Sequence, residues 1–170
     1  LQNQDMKALG AENIHSWRWI GDASRIAFAD RDYYVGDPAF VNVPTRAMIS
    51  QTYLKPRAEE IRQSDKALET IQAGKFGKAY VQGMAIELPS TSHLVVVDKD
   101  GNVVSMTTSI ENAFGSGLMA NGYLLNNELT DFAFNPVGAD GKTVANSVAG
   151  GKRPRSSMAP TIVMKDGKPY

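Results

Sequence analysis

Hydroxyl side chains crowd one short stretch of this sequence. Ser90, Thr91 and Ser92 stand in a row, and Ser105, Thr107, Thr108 and Ser109 follow a little further on. A buried strand does not need so many hydroxyls, because each one taken out of water requires a partner. A hydroxyl beside a base is an acyl-transfer nucleophile, and on residue type alone Ser90, Thr91 and Ser92 are all candidates. Two later runs could serve such chemistry. Asn126-Asn127-Glu128-Leu129-Thr130-Asp131-Phe132 sets polar groups between apolar neighbours, which is expensive unless a ligand or the backbone satisfies them. Lys152-Arg153-Pro154-Arg155 is locally basic and leads straight into Ser156-Ser157, a combination that suits an anion, although a charge run is most often a solvated face. The two histidines, His15 and His93, lie too far apart to give a metal-ligand spacing, and there is no cysteine for a disulfide or a thiolate–metal site. No metal and no other cofactor is expected.

The elements that must position these groups are partly readable. Leu94-Val95-Val96-Val97 is a β-branched run, Val103 to Ser109 is a second run of β-formers, and Asp100-Gly101 between them supplies the positive φ of a tight hairpin turn. Upstream, residues 12–30 read as a helix whose apolar stripe is Ile14, Trp17, Ile20, Ala23 (or Ser24) and Ala27. Asp30-Arg31 and the Gly36-Asp37-Pro38 turn close it. Trp17 and Trp19 read as packing residues, and His15 as a structural hydrogen-bonder. Pro44-Thr45 offers a helix entry, and residues 49–61 a second helix in which Pro56 argues for a break or restart. Residues 64–89 lose periodicity and read as a linker. After the hairpin the chain leaves the sheet over residues 110–121 and returns as a strand at 123–125. Residues 133–151 form a loop, and 161–164 a strand ahead of an Asp166-Gly167 turn.

The 170 residues have the length of one ordinary domain. Lys plus Arg and Asp plus Glu both number 18, so no net charge points to nucleic acid or to an anionic membrane surface. No apolar run approaches the roughly 20 residues of a membrane-spanning helix. The first residues show no basic segment followed by an apolar one, so no signal peptide is read.

The Thr91-Ser92-His93 start of the hairpin, its continuation to Phe114-Gly115, the 124–132 run and the 152–161 run resemble the gamma-glutamyltranspeptidase family. Ala27-Phe28-Ala29-Asp30-Arg31 and Tyr34-Val35-Gly36-Asp37-Pro38 resemble the late part of that family's large subunit. The resemblance implies an N-terminal-nucleophile hydrolase, made as one chain that cuts itself in two. Its fold would be the α+β, four-layer αββα sandwich, only partly covered here. The family motif of threonine, then threonine or serine, then histidine places the nucleophile at Thr91 and the cut at Ser90–Thr91. Residues 1–63 would then be a helical end of the large subunit, 64–90 a mobile tail before the cut, and 91–170 the start of the β-rich small subunit. The sequence is therefore expected to be a piece that straddles the processing site. The family's carboxylate-binding arginine would lie before residue 1, and its oxyanion glycines after residue 170.

By position, the resemblance implies Ser109 as the hydroxyl partner of Thr91, where threonine is usual. It implies Glu128 and Asp131 as ligands of a γ-glutamyl donor's ammonium, and Ser156 and Ser157 as ligands of its carboxylate. Glu111 stands where the best-known members carry an asparagine, and a third carboxylate there strengthens attraction to a cation or raises a neighbouring carboxyl pKa. The expected partners are a small γ-glutamyl substrate such as glutathione, a water or amino-acid acceptor, and the two processed subunits for one another. No nucleic acid and no membrane span are expected. A cephalosporin- or glutaryl-acylase-like amidohydrolase and a catalytically inert precursor fragment are the alternatives. The family resemblance alone implies a periplasmic or extracellular setting.

Overall fold

The computed structural model describes residues 1, 4–77, 80–83 and 91–170. Ser90, the residue before the expected cut, lies outside the described residues, as does part of the expected 64–90 tail. The fold is mixed α+β and divides into two compact units, one of Leu1–Met84 with Ala133–Arg153, the other of Ala85–Phe132 with Pro154–Tyr170. No helix among the described residues is long and apolar enough to cross a membrane.

The first unit is helical. After the short α1 (Met6–Leu9), α2 runs over Ile14–Tyr34, starting at an Asn13 cap whose side chain accepts the His15 N–H. It is longer than the sequence indicated, and its buried face is different. Ile14 and Trp17 are 74% and 60% exposed, while Asp22, Ile26, Asp30 and Tyr34 are buried at successive i, i+4 positions. The expected apolar stripe is thus not the packed one. The reason is the segment 64–77, which has no helix or strand of its own and takes hydrogen bonds from α2. Asp22 accepts the Leu68 N–H at 3.2 Å, and Asp30 accepts the Gly74 N–H at 2.7 Å. Arg25 donates to the Leu68 carbonyl and Arg18 to the carbonyls of Ile61 and Lys66. A backbone taken partly out of water needs such partners, so carboxylates occupy positions that hydrophobic patterning assigns to solvent.

The Asp30 cluster also ties in the second long helix. Tyr53 donates to Asp30 at 2.6 Å, and burial together with that hydrogen bond pushes the Tyr53 phenol up. Phe76 sets its ring edge against Tyr34 and Tyr53. Tyr53 lies on α4 (Gln51–Gln63), which follows α3 (Thr45–Met48) and is capped by Ser50. The helix runs through Pro56 without the expected break. Thr52 and Pro56 both face solvent, so the bond that proline removes lies on the exposed side, while Ala58 and Ile61 hold the buried side. The 133–153 segment closes the unit around fully buried Val144, Ala145 and Asn146, and Val81 pairs with Val144.

The second unit is built on the expected hairpin. β1 (Thr91–Val97) pairs antiparallel with β2 (Val103–Ser109), in a register that sets Thr91 opposite Ser109 and Val97 opposite Val103. Asp98 fixes the turn by accepting the N–H groups of Asp100 and Asn102, and Gly101 takes a φ of 82°. Two further hairpins are minimal: β3 (Met119–Ala120) with β4 (Tyr123–Leu124), and β5 (Met164–Lys165) with β6 (Lys168–Pro169). The strands expected at 123–125 and 161–164 are therefore shorter, and the second is displaced towards its turn. Asp166 and Gly167 both adopt positive φ, as a two-residue hairpin loop requires.

Candidate active site

Alternation along β1 sorts the candidate hydroxyls. Thr91 pairs with Ser109 and His93 with Thr107, whereas Ser92 pairs with Thr108 on the opposite face. On the first face Thr91 Oγ1 lies 3.4 Å from Ser109 Oγ. Two residues along, His93 Nδ1 is 2.8 Å from Thr107 Oγ1, and its Nε2 is 3.3 Å from Ser105 Oγ. His93 thus engages two of the hydroxyls of this row, and Thr91 and Ser109 stand at its end.

Ser109 connects this pair to the acidic group. Its Oγ accepts the Glu111 backbone N–H at 2.8 Å, and Glu111 turns there with a φ of 71°, a left-handed conformation that a glutamate rarely adopts. The turn drives the Glu111 side chain inward, where the residue is only 5% exposed. Asn127 brackets it. The Asn127 N–H donates to the Ile110 carbonyl, its Oδ1 accepts the Asn112 N–H at 2.9 Å, and its Nδ2 donates to Glu111 Oε2. Glu111 Oε1 is buried with no hydrogen-bond partner. Asn127 lies within a run whose polarity marks it as costly to bury, but its role needs the 110–112 turn beside it, which sequence order does not reveal.

Glu128 and Asp131 begin and end a single 3₁₀ turn, Glu128–Asp131. Side chains at i and i+3 eclipse in that helix, so the two carboxyls meet. Burial first, then the hydrogen bond and charge of Asp131 and the charge of Glu111, push the Glu128 carboxyl up to about 7. Three carboxylates within electrostatic reach cannot all ionise cheaply. A cation entering the group would relieve that repulsion and meet the unpartnered Glu111 oxygen.

The structure brings together Thr91, Ser109, Glu111, Glu128 and Asp131, with Asn127 added. Ser156 and Ser157 are exposed in a run without helix or strand, where Ser156 Oγ accepts the Met158 N–H. Their assignment rests on their place in that run. The chemistry available is a hydroxyl nucleophile beside a hydroxyl partner, flanked by a subsite for a cation.

Comparison with known proteins gives a consistent result. Residues 1–170 match the family described as Gamma-glutamyltranspeptidase. The glutathione hydrolase proenzyme of Escherichia coli (strain K12) is 40% identical over 181 residues, covering 100% of this chain and 29% of the relative. The glutathione hydrolase proenzyme of Bacillus subtilis (strain 168) is 40% identical over 95% of this chain, again 29% of the relative. The chain therefore spans under a third of the length of these curated relatives. Among solved structures, a threonine-to-alanine mutant of Helicobacter pylori gamma-glutamyltranspeptidase is 42% identical, with a TM-score of 0.40 over 46% of this chain and 45% of that one.

Proposed function

The chain belongs to the gamma-glutamyltranspeptidase family, and on that premise we propose that it carries the processing site and the first half of the active site of a γ-glutamyl hydrolase and acyltransferase. Residues 1–63 are the end of the large subunit, 64–90 the tail that processing releases, and 91–170 the start of the small subunit. The two products pair with each other inside an αββα sandwich completed by the rest of a family-length polypeptide. The single observation that carries this reading is the Thr91–Ser109 hydroxyl pair on one hairpin face, joined through the Glu111 turn to an acidic group.

In the uncut chain Thr91 has an amide nitrogen and no amine. Its Oγ1 attacks the Ser90 carbonyl carbon, the peptide C–N bond breaks, and the acyl group passes to oxygen. Water hydrolyses that ester, leaving a carboxylate on Ser90 and a free amine on Thr91. An α-amino group titrates at about 7.7–8.0, so a useful share is neutral near physiological pH and takes the hydroxyl proton as Thr91 attacks the next acyl carbon.

In the enzymatic cycle that carbon is the γ-carbonyl of a γ-glutamyl amide such as glutathione. Glu111, Glu128 and Asp131 hold the donor's ammonium, opposite charge in a partly dry site being the physical warrant. Ser156 and Ser157 donate to its α-carboxylate. The amine leaves with the transferred proton, and the γ-glutamyl ester on Thr91 passes to water or to the amine of an amino acid or peptide. Export to the periplasm or cell exterior fits this role. The test is turnover of a γ-glutamyl anilide by a family-length polypeptide carrying these residues. Release of the aniline, abolished by Thr91→Ala, is the expected result. An active Thr91→Ala protein would overturn the assignment, and hydrolysis confined to glutaryl amides would favour the acylase alternative.

A further inference from the structure

Asn127 is not among the groups proposed to hold the substrate, yet all of its polar groups are engaged. Its N–H donates to the Ile110 carbonyl at 3.3 Å, and its carbonyl accepts the Thr130 N–H at 3.0 Å and the Thr130 hydroxyl at 2.9 Å. Its Oδ1 accepts the Asn112 N–H at 2.9 Å. Its Nδ2 donates to Glu111 Oε2 and, at 3.2 Å, to Thr130 Oγ1. Within the second unit, one residue therefore joins the 110–112 turn to the Glu128–Asp131 turn.

The pattern asks for an amide. A backbone N–H can only donate, so the carboxamide oxygen must face Asn112, which leaves the –NH2 for Glu111. An aspartate would lack that donor and add a fourth carboxylate to the group, and a leucine of similar size would supply neither bond. The hold on Glu111 is also one-sided. Asn127 takes Oε2, whereas Oε1 is buried without a hydrogen-bond partner. A backbone φ of 71° fixes where the Glu111 side chain starts but leaves its outer torsions to be set by contacts. Asn127 supplies that contact, and Thr130 locks the same carboxamide onto the 3₁₀ turn that carries Glu128 and Asp131.

We propose that Asn127 is a positioning residue for recognition of the donor's ammonium: by joining the two turns, it holds Glu111 with one carboxylate oxygen left open to that cation. The inference rests on the proposed function, which makes Glu111, Glu128 and Asp131 the ammonium ligands. Its consequence is selective. Loosening Asn127 weakens binding of donors that carry an α-amine, spares those that lack one, and leaves the Thr91 chemistry in place.

The experiment uses a family-length polypeptide carrying Asn127→Ala, assayed with a γ-glutamyl anilide and with a glutaryl anilide, which lacks only the α-amine. With processing into two fragments intact, KM for the γ-glutamyl anilide rises about 10- to 100-fold, the scale of a misplaced binding group. Its kcat stays within about threefold, as expected for loss of uniform binding. KM for the glutaryl anilide, or its inhibition constant where it does not turn over, does not move. Glu111→Gly removes the carboxylate and suits the φ of 71°; in that background Asn127→Ala adds nothing to the loss. Where Asn127→Ala is not processed, Thr130→Val decides. It keeps the side-chain size, frees the Asn127 carboxamide, and raises the γ-glutamyl KM about 3- to 10-fold with the glutaryl constant unmoved. An unchanged γ-glutamyl KM in the deciding variant, equal losses on both anilides, or a further loss in the Glu111→Gly background would overturn the proposal. An inactive unmutated polypeptide would overturn the proposed function instead.

Discussion

Glu128 allows the arrangement to be tested quantitatively. Its carboxyl titrates at about 7, raised first by burial and then by the hydrogen bond and charge of Asp131 and the charge of Glu111. Holding a donor's ammonium requires the ionised form. Between pH 6 and pH 8 a group titrating at about 7 goes from roughly one-eleventh to roughly ten-elevenths ionised, about a tenfold change. The Thr91 amine titrates in the same range, so a raw pH profile mixes the two. Dividing the native kcat/KM by that of Glu128→Gln at each pH cancels the amine, because glutamine does not ionise. The assay is γ-glutamyl anilide turnover by a family-length polypeptide, and the ratio is expected to climb about tenfold from pH 6 to pH 8. A flat ratio, with both proteins fully processed, would refute the assignment of Glu128 to the ammonium. Stability must move the other way. A carboxyl raised in the folded state binds more protons there than when unfolded, so stability falls as pH rises from about 4.5 to about 7. Glu128→Gln should therefore raise the thermal midpoint at pH 8 and leave it nearly unchanged at pH 4, below the unfolded value of the carboxyl.

Three other substitutions probe neighbouring parts. Ser109→Ala removes the partner of Thr91 and the acceptor of the Glu111 N–H; processing and turnover should both slow by about 100-fold, and Ser109→Thr should restore them, as measured by intact mass and anilide release. Glu111→Asn puts a residue that tolerates left-handed backbone at a φ of 71°, so the thermal midpoint should rise and preference for γ-glutamyl over glutaryl amides should sharpen; unchanged substrate ratios would remove Glu111 from substrate selection. Tyr53→Phe strands the Asp30 carboxylate of its shortest bond and should cost about 1–3 kcal/mol in denaturant unfolding, without a change in KM.

The parts that sequence patterning captured are those whose partners are local. A β-branched run, an Asp-Gly turn and a second β run fix a hairpin and its register, and the register alone sets Thr91 against Ser109. The 3₁₀ turn joining Glu128 to Asp131 is equally local, but nothing in the pattern marks it, and the two residues were implied by the family resemblance alone. Patterning failed on α2 because Asp22 and Asp30 are buried to serve a backbone more than forty residues away. Hydrophobic periodicity has no means of marking a carboxylate as interior. Pro56 misled for a related reason: whether a proline breaks a helix depends on which side of the helix loses its bond. Asn127 stood in view, but bracketing Glu111 is a relation between two turns. Asp37 reads as a turn residue, and its hydrogen bond to the Arg153 N–H spans most of the chain.

The central claim is that Thr91 is the nucleophile of both processing and catalysis. Intact-mass measurement of a family-length polypeptide after incubation near neutral pH tests it most directly, beside a Thr91→Ala control. The account predicts two fragments whose masses place the break between Ser90 and Thr91, and a single uncut species in the control. A break elsewhere, or the same break in the control, would contradict it.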